Sequence, residues 1–203
     1  MIILVKKLCF QKIGLDFAVG EFNISRSFYS LWLLIALTIL AVTFPSLTAL
    51  AQEQFDSLVK KGRSSINSVK IQPDKGNEHL NAGEVYKYDV IYPTSGNHDP
   101  RPIRAGFYTK PQPPTRLVHA LEHGNVVVYF GQLDTASANA FFWWSIKFKG
   151  DWDGVVFTTM PNLGKKIVVT AWKRRLDLES FDAAAIASFV DKFRGRGPEN
   201  RVR

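Results

Sequence analysis

The sequence predicts an α+β fold: a single compact domain with a mainly antiparallel sheet and helices on one face, preceded by an N-terminal signal or anchor segment. Three observations predict it. Residues 125–130 are a nearly continuous run of β-branched and aromatic residues, which indicates a buried strand. Residues 180–195 place apolar side chains at helical spacing, which predicts an amphipathic helix. Turn-forming residues at 161–164 separate two further strand-like runs and favour antiparallel pairing.

The first 51 residues are predicted to direct export. Basic residues precede an uncharged apolar stretch over residues 28–51, which ends in the small-x-small sequence Ala49-Leu50-Ala51. This arrangement is typical of a secretory signal peptide, and cleavage there would leave Gln52 as the first residue. The stretch is also nearly long enough to span a hydrocarbon core of ~30 Å, so an uncleaved membrane anchor is the alternative. The sequence therefore predicts an extracytoplasmic protein of the periplasm or cell envelope, with membrane contact only through residues 28–51 if the signal is retained.

The rest of the chain is predicted to contain one globular domain. Residues 52–77 are polar and predict a lead-in or linker, residues 78–199 predict the domain, and residues 200–203 predict a basic tail. The single cysteine, Cys9, lies in the signal segment, so disulfides, cysteine-ligated zinc and cysteine nucleophiles are excluded from the domain. The formal net charge is +8, but acidic residues are interspersed among the basic ones, which form no continuous basic stripe, so nucleic acid is not predicted as a partner.

Alternating tyrosine and valine side chains predict a strand over residues 84–92, followed by a turn over residues 93–98 and a proline-rich loop. The other predicted elements are a helix over residues 115–123 ended by Gly124, the strand over 125–130, a helix over 134–144, strands over 155–159 and 165–172, and a helix from the N-cap residue Ser180 to Gly195. Aromatic residues 141–144 favour core packing, with a contact surface for a protein partner at the cell envelope as the alternative.

Histidine spacing indicates a metal site. All four histidines lie within residues 79–123. His119 and His123 are four residues apart on a predicted helix, so their Cβ atoms are ~5–6 Å apart on one face. Neutral imidazole is the commonest side-chain metal ligand, so both residues are predicted ligands of a transition metal ion, with His98 at the turn as the third.

Three further residues are candidates for the same site. Glu122 adjoins His123 but is predicted to lie off the shared helix face, as a carboxylate that orients an imidazole. His79 and Met160 are optional ligands. A thioether would favour copper, whereas carboxylate and water would favour zinc.

Two other functions remain open. His119-x-x-Glu122-His123 matches a zinc peptidase pattern, in which Glu122 would be the general base and Glu179 or Asp182 the additional ligand, so a zinc-dependent hydrolase is one alternative. The other is a metal-free interaction module, in which the histidines would join the proline-rich loop to the core by hydrogen bonds.

Several motifs resemble those of one bacterial family. They are Tyr92-Pro93-Thr94-Ser95-Gly96-Asn97-His98, Gly106-Phe107-Tyr108, Val118-His119-Ala120-Leu121-Glu122-His123-Gly124, Thr170-Ala171-Trp172-Lys173-Arg174 and Arg194-Gly195-Arg196-Gly197-Pro198-Glu199. Over about residues 79–199 the chain resembles the family known as domain of unknown function 3105. The resemblance implies an exported or membrane-tethered protein, and it implies no particular activity.

Overall fold

The computed structural model of the protein describes residues 47–203, so nearly all of the predicted signal or anchor segment lies outside the described residues. Within residues 47–203, no helix is both long enough and apolar enough to cross a membrane.

A six-stranded mixed sheet forms the centre of this described part. Its strands are β1 (Lys70–Ile71), β2 (Gly106–Tyr108), β3 (Val126–Phe130), β4 (Val155–Thr159), β5 (Ile167–Ala171) and β6 (Arg174–Leu178). Their order across the sheet is β1-β6-β5-β3-β4-β2. The β3–β4 and β4–β2 pairs are parallel, and the other pairs are antiparallel. The α+β class is therefore confirmed, with a sheet more mixed than predicted.

Helices cover both faces of the sheet. They are α1 (Leu47–Lys61), a 3-10 helix (Arg63–Ser68), α2 (Pro114–His123), α3 (Thr135–Lys147) and α4 (Ala183–Phe193). Helices α1, α3 and α4 pack against Val126 and Val128 of β3 on one face, and α2 packs against Val127 and Tyr129 on the other. The prediction that all helices lie on one face is wrong for α2. The reason is that β3 is apolar at every position, so both of its faces need apolar cover.

The strand predicted over residues 84–92 does not form. The tyrosines that suggested it make loop contacts instead: the Tyr88 hydroxyl donates to the Asn97 carbonyl at 2.8 Å, and the Tyr86 and Tyr88 rings meet edge to face. Val85 and Val90 are exposed. The segment pairs with neither edge strand of the sheet, β1 or β2.

The polar lead-in predicted over residues 52–77 belongs to the fold along most of its length. Phe55 of α1 is buried in the main core, and the Ser188 hydroxyl of α4 donates to the Val59 carbonyl at 2.6 Å. Strand β1 pairs with β6. The helix was missed because its polar residues face solvent and few apolar residues contact the core.

The C-terminal segment differs from its prediction in two details. Asp182, rather than Ser180, caps α4 by accepting from the Ala184 and Ala185 amides. The predicted basic tail folds back onto the domain, since the Val202 amide donates to the Gly195 carbonyl at 3.0 Å.

Candidate metal centre

The end of helix α2 carries three functional side chains, His119, Glu122 and His123. The helix begins at Pro114 and ends at Gly124, whose φ of 102° is a left-handed conformation that glycine adopts without strain. His119 shares a face with Glu122 three residues later and with His123 four residues later. Glu122 and His123 meet different neighbours on the two sides of His119, which agrees with the prediction that Glu122 lies off the face shared by the two histidines.

Two loop segments bring the other histidines to the helix. Residues 76–80 run parallel to residues 96–98, and His79 and His98 form a parallel β-bridge. The Leu80 amide donates to the His98 carbonyl at 2.8 Å, and the Gly96 amide donates to the Gly76 carbonyl at 2.8 Å. This backbone pairing places both imidazoles against α2, which no spacing argument could establish.

Four of these side chains form a cluster that we call the inner site: His79, His98, His119 and Glu122. One ligand atom from each lies within 4.8 Å of the others. Glu122 Oε2 lies 3.0 Å from His98 Nε2 and 4.0 Å from His79 Nε2. The His98 side chain is 0% exposed and that of Glu122 is 6% exposed, whereas His79 is half exposed at the rim.

Backbone carbonyls fix the tautomers of the two most buried histidines. His98 Nδ1 lies 2.8 Å from the Gly96 carbonyl, and His119 Nδ1 lies 2.7 Å from the Asp99 carbonyl. A carbonyl only accepts, so each Nδ1 carries a proton and donates, and in a neutral imidazole the lone pair is then on Nε2. Burial lowers the pKa of His119 below the usual histidine value, which favours this neutral form.

One buried atom in the inner site lacks a hydrogen bond. Among the described residues, His98 Nε2 has no hydrogen-bond partner, although Glu122 Oε2 is close by. Glu122 is held in place from its other side, because Asn77 Nδ2 donates to Glu122 Oε1 at 2.8 Å. Buried polar atoms are nearly always satisfied, and a cation bound by both His98 Nε2 and Glu122 Oε2 would satisfy this one.

A second group lies beside the inner site and shares His119 with it. His119 Nε2 is 3.0 Å from His123 Nε2, which is 3.2 Å from Glu199 Oε2. We call His123 and Glu199 the outer pair. The Trp152 ring stacks on His123 with centroids 4.0 Å apart. All predicted histidines and Glu122 thus meet at one place.

Two residues of this centre were not predicted from the sequence, Asn77 and Glu199. Glu199 could have been noticed only as the last residue of the final family motif. The carboxylates proposed in its place lie elsewhere: exposed Glu179 pairs with Lys166, and Asp182 caps α4.

Met160 is not brought to this centre. The start of β4 lies beside the end of α2, since the Gly154 amide donates to the Asn125 side chain at 2.7 Å. Met160 follows the other end of β4, where its amide donates to the Phe130 carbonyl. Met160 is six residues after Gly154, and six residues of extended chain span about 20 Å, so the two residues lie at opposite ends of β4. Met160 packs against the core beneath α2 and lines a cavity whose walls include no histidine, so the structure gives its prediction as a ligand no support.

Sequence comparison places these residues in a family. Residues 79–203 match the family described as protein of unknown function, DUF3105. The chain belongs to the DUF3105 family. This confirms the resemblance read from the motifs, and the matched region of this DUF3105 protein includes the inner site and the outer pair. No curated protein and no solved structure matches the chain.

Proposed function

We propose that this DUF3105 protein binds one divalent transition metal ion in the inner site, through His98, His119 and Glu122, with His79 closing the rim. The observation that carries the proposal is the fully buried His98 Nε2, which lacks a hydrogen bond and lies 3.0 Å from a carboxylate oxygen. Removal of two such groups from water is unfavourable unless a proton or a cation lies between them.

The donor set favours zinc or a similar divalent ion. Imidazole and carboxylate ligands bind zinc at about 2.0–2.2 Å, so tetrahedral ligand atoms are about 3.3–3.6 Å apart. The separations of 3.0 and 4.0 Å around Glu122 Oε2 bracket that value. Copper(II) also accepts this donor set, whereas the preference for copper that a thioether would give disappears without Met160.

Binding is favoured over catalysis. Glu122 Oε1 accepts from Asn77 and Oε2 lies 3.0 Å from His98 Nε2, so in the proposed site Glu122 would be a metal ligand and not the general base of the peptidase pattern. This disfavours the zinc-dependent hydrolase. The predicted export signal in residues 1–51 suggests that the metal is bound outside the cytoplasm, in the periplasm or cell envelope.

One observation favours the metal-free interaction module as the second candidate. His98 and His119 do join the loop to the core through their hydrogen bonds to the Gly96 and Asp99 carbonyls. Helix α3 also exposes Phe142, Trp143 and Ile146, which suit an apolar protein partner. These hydrogen bonds use only the Nδ1 atoms, so they leave the converging Nε2 atoms unexplained.

Zinc titration of the metal-stripped protein separates the two candidates. We expect one zinc ion per chain. We also expect zinc at 100 times its dissociation constant to stabilise the fold by about 2.7 kcal/mol, which corresponds to a melting temperature about 5–10 °C higher. An interaction module would bind no zinc stoichiometrically and would melt at the same temperature with and without it.

Substitution of Met160 tests whether copper binding needs the thioether. Because Met160 lies at the far end of β4, Met160→Leu is expected to leave the dissociation constant for copper within about twofold of the original value, since volume-conserving swaps perturb cores little. Competition titration with a copper chelator measures this. Weakening by tenfold or more would restore Met160 as a ligand.

A further inference from the structure

The inner site and the outer pair compete for one atom. Both groups include His119, and in both the available ligand atom is Nε2, because Nδ1 donates to the Asp99 carbonyl. A neutral imidazole in this tautomer has a single lone pair. His119 can therefore complete the inner site or join His123 and Glu199, but it cannot bind two ions at once.

Burial differs between the two groups. Apart from His79 at its rim, which is 51% exposed, the inner site is buried: its His98 and Glu122 side chains are 0% and 6% exposed, whereas those of His123 and Glu199 are 14% and 43% exposed. An ion that approaches His119 from the side of the outer pair meets the Glu199 carboxylate first. Each group contributes one carboxylate, so movement between them leaves the charge around the ion unchanged.

The outer pair is held against the helix by the backbone. The Gly195 amide donates to the Gly124 carbonyl at 2.8 Å, and the Glu199 amide lies 3.5 Å from the Glu122 carbonyl. A side chain at Gly197 would collide with the backbone at the end of α2, so only glycine permits this approach. Close backbone contacts between the C-terminal segment and the end of α2 thus position Glu199.

We propose that His123 and Glu199 form a loading site that captures the metal ion together with His119 and transfers it to the inner site. This inference rests on the proposed function. During transfer His119 remains bound, while the bonds to His123 and Glu199 break and bonds to His98 and Glu122 form. The oxidation state of the ion does not change. The loading site lies on the path to the inner site and is not part of the final coordination.

Glu199→Gln tests the proposal through rates. We expect zinc to bind this variant about tenfold more slowly, because the attracting charge at the opening is lost. Zinc release should slow by a similar factor, since release reverses the same path, so the dissociation constant should change by less than about threefold. Stopped-flow mixing of the metal-stripped protein with zinc gives the association rate, and competition with a chelator gives the release rate. Glu199→Asp keeps the charge and is expected to recover most of the rate.

Glu179→Gln is the matched control, because Glu179 is an exposed glutamate that pairs with Lys166, away from both groups of ligand atoms. The loading rate of this variant should equal that of the unmodified protein. If zinc bound to Glu199→Gln as fast as to the unmodified protein, the loading site would be overturned while the proposed inner site would stand. A loss of affinity in Glu199→Gln as large as that in Glu122→Gln would mean that Glu199 is a permanent ligand, which overturns the inference. Two zinc ions bound per chain would also overturn it, because His119 Nε2 cannot bind two ions at once. An unmodified protein that binds no zinc would overturn the proposed function itself.

Discussion

Glu122→Gln is expected to weaken zinc binding by more than about 100-fold, the upper range for residues that only orient a metal ligand. Glu122 Oε2 lies close to both His98 and His79, and glutamine keeps the size of the side chain while it removes the charge. Asn77 still has an oxygen to which it can donate, so the fold should remain intact. Isothermal titration with zinc measures the change, with circular dichroism as the check on folding.

Glu78→Gln provides the control for this result. Glu78 is an exposed carboxylate next to His79, and it is absent from both groups of converging ligand atoms. Its substitution removes the same charge at a similar place and should change the zinc dissociation constant by less than about twofold, because exposed charges are largely screened. Equal weakening in the two variants would mean that general electrostatic attraction, and not coordination by Glu122, accounts for the affinity.

Phe55→Ala is expected to lower the free energy of unfolding by about 3–5 kcal/mol, the usual cost of deleting a buried phenylalanine. Phe55 is 5% exposed, and its ring contacts Trp144 at 5.7 Å and Phe148 at 4.9 Å between centroids. Denaturant unfolding followed by tryptophan fluorescence measures the loss. Such a loss would show that α1 is an integral part of the domain.

Phe142→Ala is the matched control for α1. Phe142 lies on α3, where it is 48% exposed, so its loss should cost less than about 1 kcal/mol. If Phe55→Ala cost no more than Phe142→Ala, helix α1 would behave as the flexible lead-in that its composition suggests.

Local sequence patterns predicted three of the four α-helices and three of the six strands of the described residues, because the burial and capping of these elements depend on neighbouring residues. The strand over residues 155–159 has the predicted bounds, and α2 ends at the glycine expected to end it. Strand β6 was missed because its hairpin turn uses Lys173 at a φ of 55°, where turn patterns favour glycine or asparagine. The alternating side chains over residues 84–92 predicted a strand that does not form. A strand needs a neighbouring strand for its hydrogen bonds, and whether one lies beside the segment depends on the whole fold.

In the candidate site, too, local sequence predicts some features and the overall fold determines the others. The pair His119 and His123 could be predicted from helix geometry alone. The positions of His98 and His79 depend on the parallel contact between residues 76–80 and 96–98, which lies beyond local patterns. Asn77 and Glu199 are single polar residues with no characteristic spacing, and only the fold reveals that they meet the end of α2.

The location of the bound ion tests the central claim most directly. A crystal of the zinc-loaded protein, measured at the zinc absorption edge, is expected to show one anomalous peak about 2.0–2.2 Å from His98 Nε2, His119 Nε2 and Glu122 Oε2. A peak elsewhere, or no peak in zinc-loaded crystals with His98 and Glu122 in their present positions, would contradict the proposed metal site.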